Sequence, residues 1–446
     1  MTRATTVLEC TACGQRSTKW LGRCPACGGW NTFEEVPVTP RAPGDGSAAQ
    51  AVPITAADTA EAIRLPTGFP AVDRVLGGGL VAGSVCLLAG EPGIGKSTLL
   101  LQVAHQVARE GTVLYASAEE SVRQIALRAR RLGCCHDRLL VLAEPSVEEV
   151  LAAVHRLAPA LLIADSVQAM VSDRVPAVPG TVTQVREVAS QLAAVAKRDG
   201  PPVVLVGHVT KEGLVAGPKS LEHLVDVVLE FTGSSGHPFR SLRATKNRFG
   251  PALEMALLSM GDAGLAEVPN PSAALLADRR PGAVGSAVAA VLEGTTPLLV
   301  EVQALVARSP LATPRRVAQG VDGGRLALLL AVLEKRARLQ LADRDVFLNV
   351  VGGVSVDEPA LDLAAAAAIL SSARERALVE DLVMFGEVGL LGEVRAVGRT
   401  QERLREAQTL RFRRCALPAS SAAAPPPDLA LVPLSHVGQL VDLLAG

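Results

Sequence analysis

The stretch Gly90-Glu91-Pro92-Gly93-Ile94-Gly95-Lys96-Ser97, followed by Thr98, has the residue types and spacing to hold a polyphosphate. Its glycines let the backbone curl around an anion, so that successive N–H groups converge on the phosphate oxygens. A helix starting there adds its dipole. Lys96 is expected to reach the β- and γ-phosphates and Ser97 to place its hydroxyl on Mg²⁺, which predicts a bound nucleoside triphosphate. Two carboxylates suit the accompanying chemistry: Asp165 to hold the hydrated Mg²⁺ beside Ser97, and Glu119 to orient and polarise an attacking water. A helix N-cap is the structural alternative for Asp165. Glu120 shares the chemistry of Glu119 but points the other way if its strand continues. His208 is a candidate sensor of the γ-phosphate, or simply a satisfied histidine at a strand end.

Cys10-x2-Cys13 and Cys24-x2-Cys27, ten residues apart, offer four thiolates to one tetrahedral ion. This is the spacing of a structural Zn²⁺ site, with a redox pair as the other use. So small a module cannot fold on apolar burial, and the metal is expected to supply most of its stability. Trp20 and Trp30, the chain's two tryptophans, lie in the same stretch and either cover the metal or stack on a base or a partner. Further on, residues 237–250 carry Arg240, Arg243, Lys246 and Arg248 and no acidic residue. In a strand, Lys246 and Arg248 would share a face. Cations so spaced can reach a neighbouring subunit's γ-phosphate as an arginine finger does, clamp a DNA backbone, or line a solvated edge.

Only seven of the 44 basic residues are lysines. A chain so biased to arginine keeps lysine where an ammonium is hard to replace, a weak pointer to Lys96, Lys211, Lys219 and Lys246. Lys211 and Lys219 belong to residues 210–219. Like the Pro- and Gly-containing residues 171–186, these read as a loop facing outward at strand ends. Phosphates of single-stranded DNA would suit the lysines, and a solvated loop is the plainer alternative.

The elements that must position these groups are legible as apolar runs. Residues 84–89 read as a buried strand, and Leu99, Leu100, Val103 and Val107 recur at helical spacing after the glycine loop. Residues 113–117, 161–164, 203–208 and 227–231 read as further strands alternating with helices, which implies a parallel sheet with ligands at its carboxyl edge. Glu119, Asp165 and His208 all fall there. With 446 residues, two or three domains are expected. We read a zinc knuckle at 1–33, a flexible linker at 34–60, an ATPase domain at 61–265 and a further domain at 266–446. A net charge of -1 neither suggests nor excludes nucleic acid. No apolar run approaches the roughly 18 residues of a membrane span, so no membrane partner is expected. The N-terminus lacks a signal pattern, and a cytoplasmic location is expected.

The knuckle residues Trp20-Leu21-Gly22-Arg23-Cys24 and Cys27-Gly28-Gly29-Trp30, the phosphate loop, Tyr115-Ala116-Ser117-Ala118-Glu119-Glu120-Ser121 and Lys246-Asn247-Arg248-Phe249-Gly250 stand in this order. Together they resemble the bacterial RadA (Sms) family over nearly the whole chain. The resemblance implies a RecA-like P-loop ATPase core with a central, mostly parallel sheet, assembled as a hexameric ring related to replicative helicases. It implies DNA-stimulated hydrolysis of ATP, action on single-stranded and branched DNA, and branch migration of recombination intermediates alongside the RecA recombinase. By that match Lys96 carries the phosphate-loop role and Lys246 and Arg248 the signature role. One departure is the early Leu253-Glu254-Met255, read as a shortened hairpin.

The segments 281–286, 293–305, 345–353, 385–390 and 392–398 are similar to the proteolytic domain of the Lon protease, an α/β fold. That enzyme pairs a serine nucleophile with a lysine base. The match puts Ala360 at the serine position and Gln401 at the lysine position, so neither group is present and proteolysis is not expected. Such a domain would serve as an oligomerisation and DNA-binding platform, with Arg315, Arg316, Arg411, Arg413 and Arg414 as candidate phosphate contacts. The leading expectation is an ATP-driven DNA motor of recombinational repair. An ATP-switched ring scaffold, a protease with an attached ATPase and a clock-protein-like kinase are the alternatives. Glu119 with Asp165 speaks for hydrolysis; the missing protease dyad, the knuckle and the single phosphate loop speak against the last two.

Overall fold

The computed structural model describes residues 5–12, 15–17, 19–25, 27–38, 64–198, 200–208, 221–233, 238–252, 254–421 and 424–445. Cys13, most of the expected linker, Lys211, Lys219 and Leu253 lie outside them. In the knuckle, β1 (Thr5–Cys10), β2 (Arg16–Ser17) and β3 (Phe33–Val38) form an antiparallel sheet in the order β2-β1-β3. Its core is minute: Cys10, Cys24 and Phe33, with Leu8 against them. The expected linker boundary at residue 34 is corrected here. Residues 34–38 pair with β1 from Glu9↔Glu34 to Thr5↔Val38. Phe33 starts that strand inside the small core, and extending it satisfies the backbone groups of β1.

From residue 64 the chain forms β4 (Arg64–Leu65), α1 (Pro70–Leu76), β5 (Leu80–Val81), β6 (Val85–Gly90), α2 (Lys96–Val107), β7 (Val113–Ser117), α3 (Val122–Arg131), β8 (Leu139–Ala143), α4 (Val147–Leu157) and β9 (Leu161–Asp165). It continues with α5 (Val182–Ala196), β10 (Val203–His208), β11 (Val227–Gly233), β12 (Phe239–Asn247), β13 (Met255–Gly261) and β14 (Gly264–Glu267). Nine of these strands make one sheet, in the order β14-β13-β12-β11-β6-β10-β9-β7-β8. The six from β11 to β8 run parallel.

The central strands are apolar on both faces because both are covered. Cys86 and Leu88, Val113 and Tyr115, Leu161 and Ile163 enter one core with Leu99, Leu100 and Val103 of α2. Val85 and Leu87, Leu114 and Ala116, Leu162 and Ala164 enter the other with Val150 of α4 and Val188 of α5. Each fully buried Leu or Ile contributes roughly 1.5–3 kcal/mol, so this double-sided packing fixes which strand ends lie side by side. Helix starts are set locally. Ser121 and Gln124 form a capping box on α3, and Ser146 accepts from Glu149 N–H at the start of α4.

The outward segment 171–186 is shorter than expected. Helix α5 begins at Val182 behind the N-cap Thr181, and Gln184 is buried, donating to the carbonyls of Ser172, Val175 and Ala177. The remaining loop is therefore tied down at its base.

A second compact unit takes in the chain from Val268 onward, together with Gly233–Phe239. It contains α6 (Pro271–Leu275), β15 (Ser286–Glu293), β16 (Thr296–Arg308), β17 (Arg316–Gln319), α7 (Gly323–Arg336), β18 (Arg344–Val350), α8 (Asp362–Arg374), β19 (Leu382–Met384), β20 (Glu387–Val388), β21 (Val394–Arg395), α9 (Thr400–Thr409), β22 (Arg414–Pro418) and β23 (Ala430–Leu434). Seven strands form a mixed sheet in the order β17-β18-β16-β15-β19-β22-β23. Helix α8 is buried from Asp362 to Ser372, which its alanine run permits by letting the sheet approach closely.

Candidate functional site

The strand register assembles the nucleotide edge. His208 at the end of β10 pairs with Gly90 at the end of β6, and Asp165 at the end of β9 pairs with Ser117 at the end of β7. The glycine loop leaves β6 and enters α2 through Gly95, whose φ of 116° is open to glycine. A Cβ there would also lie 2.6 Å from Met260 Cε. Lys96 is buried, and its ammonium donates to the carbonyls of Gly90 (2.8 Å) and Glu91 (2.9 Å). Burial holds its pKa below the usual lysine value, with the charges of Asp165 and Glu119 opposing. Gly93, Ile94 and Thr98 complete the loop and the first turn, and Pro92 precedes them.

Ser97, Asp165, Glu119, Lys96 and His208, all named from sequence, meet at this edge. Ser97 Oγ donates to Asp165 Oδ2 at 2.7 Å, and Tyr115 Oη donates to the same oxygen at 2.5 Å. The carboxylate of Asp165 thus faces two side-chain hydroxyls. Glu119 accepts from Ser166 Oγ and lies 3.6 Å from His208 Nε2. Lys96 Nζ is 3.1 Å from His208 Nδ1. An ammonium only donates, so Nδ1 accepts and the imidazole proton sits on Nε2, toward Glu119. Glu120 turns away to Arg128. A hydroxyl and a carboxylate this close, beside a backbone-lined loop, are a donor set suited to a hydrated Mg²⁺.

Two participants were not legible beforehand. Arg240 is buried, and its Nε donates to Ile94 O at 3.1 Å, bracing the phosphate loop from β12. In sequence it is one of several arginines in a basic run. Tyr115 reads there as a strand residue opening the family stretch 115–121, with no role of its own. Burial first, then the facing Asp165, pushes its phenol well above the usual tyrosine pKa, so it remains a donor.

Lys246 and Arg248 lie at the other edge of the sheet and do different things. Lys246 Nζ donates to the carbonyls of Glu222 (2.5 Å) and Val225 (2.8 Å). Arg248 follows the end of β12, is largely exposed, and donates to Asp226 Oδ1 at 3.2 Å. Buried Asp226 also takes Lys197 Nζ at 2.9 and 2.7 Å and the N–H of Val85 at 3.0 Å. Val85 opens β6 and Gly90 closes it, so Arg248 is held about 17 Å along the strand from its own phosphate loop. Asn247 and Gly250 build the turn. Asn247 Nδ2 donates to Val75 O at 3.1 Å, and a Cβ on Gly250 would stand 2.7 Å from Gly77 Cα.

In the knuckle, the sulfurs of Cys10, Cys24 and Cys27 lie within 4.8 Å of one another. Cys10 and Cys27 Sγ are 3.7 Å apart. That matches the edge of a zinc–thiolate tetrahedron, about 3.8 Å for Zn–S bonds near 2.3 Å, and far exceeds a disulfide bond. Trp20 (58% exposed) and Trp30 (71%) are open to solvent rather than buried over the site. Arg23 instead lies 5.8 Å from the Trp30 ring.

In the second unit Ala360 is fully buried beside Phe385 and Leu404, and Gln401 Nε2 donates to Ala424 O at 3.0 Å. The same two segments carry a pair that has no local mark in the sequence. Fully buried Arg403 donates to both oxygens of Glu358, to Ala290 O (2.6 Å) and to Gly398 O (3.0 Å). Its guanidinium also lies 5.5 Å from the Phe385 ring. Arg315 is held by Asp345; Arg316, Arg411, Arg413 and Arg414 are exposed.

Residues 51–213 match the family described as AAA domain, residues 9–35 the rubredoxin metal binding domain and residues 333–440 the Lon protease (S16) C-terminal proteolytic domain. The chain is 48% identical to the DNA repair protein RadA of Pseudomonas aeruginosa, with all of both chains covered. It is 47% identical to the DNA repair protein RadA of Bacillus subtilis over 92% of each chain. To that of Escherichia coli it is 46% identical over 94% of each. Likeness at this level from the cysteine knuckle through the phosphate loop to the Lon-like unit means that the chain belongs to the RadA family of DNA repair proteins.

Proposed function

We propose that this protein is a DNA-dependent ATPase of recombinational repair, working as a ring and promoting branch migration together with the RecA recombinase. The observation that carries the reading is the meeting of Lys96, Ser97, Asp165 and Glu119 at one sheet edge while Arg248 stands at the other. Lys96 is the group that neutralises the β- and γ-phosphates, exchanging its present carbonyl partners for phosphate oxygens. Ser97 and Asp165 hold Mg²⁺, which supplies charge neutralisation on the phosphates when bound. Glu119 is the water-orienting carboxylate, and His208, touching both Lys96 and Glu119, is suited to register whether a γ-phosphate is present. Gly90, Glu91, Pro92, Gly93, Ile94, Gly95 and Thr98 contribute backbone to the phosphate cradle.

Arg248 is the finger for a neighbouring subunit's nucleotide, because its own lies beyond an arginine's reach. Lys246, engaged with two carbonyls, fastens the turn that presents it. Cys10, Cys24 and Cys27, with Cys13, hold Zn²⁺. The Lon-like unit is a platform for assembly and DNA rather than a protease, since Ala360 offers no nucleophile and Gln401 no base. The protein's substrates on this reading are single-stranded and branched DNA in the cytoplasm; among the described residues no helix is long and apolar enough to cross a membrane.

The test is ATP hydrolysis with and without single-stranded DNA, for wild type, Lys96→Ala and Arg248→Ala. Stimulation of the wild type, with both variants silent and Arg248→Ala still binding DNA, is the expected result. Slow hydrolysis indifferent to DNA would replace the motor by a ring scaffold switched by ATP.

A further inference from the structure

Tyr115 is the only tyrosine of the chain. It is fully buried in the core shared by α2 and the sheet, in one cluster with Val113, Ile163 and Leu101. A phenol buried at such a position needs a hydrogen-bond partner. Its partner is Asp165 Oδ2, the oxygen that also takes the Ser97 hydroxyl proton. Among the described residues Asp165 Oδ1 accepts no hydrogen bond from protein, so the two donors pin one oxygen and leave the other without a protein donor.

We propose that Tyr115 is a positioning residue for the magnesium centre: its O–H fixes the Asp165 carboxylate, and Asp165 in turn orients the Ser97 hydroxyl with its lone pairs toward the metal. The inference rests on the reading that Ser97 and Asp165 hold Mg²⁺. The geometry gives it a direction. Phosphate binding by the loop backbone and Lys96 does not pass through Tyr115, whereas presentation of both metal-holding groups does. Partners behind a metal's own ligands typically affect affinity by 10–100-fold.

The experiment is a titration of Mg²⁺ against a fluorescent ATP analogue bound to full-length wild type and Tyr115→Phe. Phenylalanine keeps the ring in its core and removes only the donor. We expect the analogue to bind both proteins alike in EDTA. The Mg²⁺ concentration that half-saturates the metal-dependent signal should rise about tenfold in Tyr115→Phe. Half-saturation within twofold of wild type would overturn the proposal and leave Tyr115 as packing. No Mg²⁺-dependent signal in wild type would instead overturn the nucleotide reading itself.

Should Tyr115→Phe fail to fold, the wild type decides. With ¹³C-labelled tyrosine, the single Cζ resonance should move when Mg²⁺ joins the bound analogue and not when the analogue binds in EDTA. A resonance indifferent to Mg²⁺ refutes the relay.

Discussion

If Arg248 serves a neighbour, two dead proteins should make a live one. Lys96→Ala destroys a subunit's own phosphate site, and Arg248→Ala destroys what it gives to the next subunit. Along β6 the phosphate loop begins at Gly90, while Arg248 is held by Asp226 beside Val85. The separation, about 17 Å at 3.3 Å per residue, leaves no route to its own γ-phosphate. In a ring of head-to-tail interfaces mixed one to one, roughly one quarter of interfaces join an intact phosphate loop to an intact Arg248. Each variant alone should hydrolyse ATP at least about 10³-fold more slowly than wild type, as loss of an arginine finger does. The mixture, with independently firing sites, should recover roughly a quarter of the wild-type rate. The assay is steady-state hydrolysis after subunit exchange, with exchange verified by energy transfer between labelled chains. A mixture no faster than its components refutes the argument and hands Arg248 to DNA or to its own subunit.

Other consequences are equally direct. Arg403→Ala should destabilise the Lon-like unit by about 2–3 kcal/mol, because it removes the charged hydrogen bonds of a fully buried guanidinium to Glu358, Ala290 O and Gly398 O; urea unfolding followed in that unit measures it, and a loss below about 1 kcal/mol would contradict the pairing. Removing zinc should release about four titratable thiols from the knuckle, read with a thiol reagent before and after chelation, whereas an unchanged thiol count would remove the metal. Arg240→Met should weaken nucleotide binding about tenfold by loosening the phosphate loop at Ile94, the cost of one charged hydrogen bond, measured by equilibrium titration; unchanged affinity would make Arg240 a core residue only.

In the Lon-like unit, Ala360 and Gln401 stand where the Lon resemblance expects a serine and a lysine, and the pair of half-buried Glu358 with fully buried Arg403 joins the two segments that carry those positions. Such a pair is costly to break and specific in its partners. It therefore fixes the local arrangement of Leu292, Ala290 and Gly398, whose backbone groups it also satisfies.

Much of the protein was written locally. The glycine loop, the strand runs ending at Ser117, Asp165 and His208, and the paired cysteines announced themselves because phosphate cradles, buried parallel strands and tetrahedral metals each demand fixed residue types at short spacing. The order of the strands, and hence the meeting of Ser97 with Asp165 across 68 positions, was decided by packing both sheet faces at once. What stayed hidden depends on contacts at long range. Arg240 among several arginines, Lys197 among few lysines and Asp226 among many carboxylates carry no local mark. Lys246 and Arg248 looked like an equivalent pair, and only the end of β12 separates them. One closes on backbone carbonyls and the other pairs with Asp226 from an exposed position. Chemistry tied to a motif is legible in a single chain segment, whereas the partner that aims a charge is chosen by the fold, because hydrogen bonds and ion pairs act over a few ångströms of space whatever the distance along the sequence.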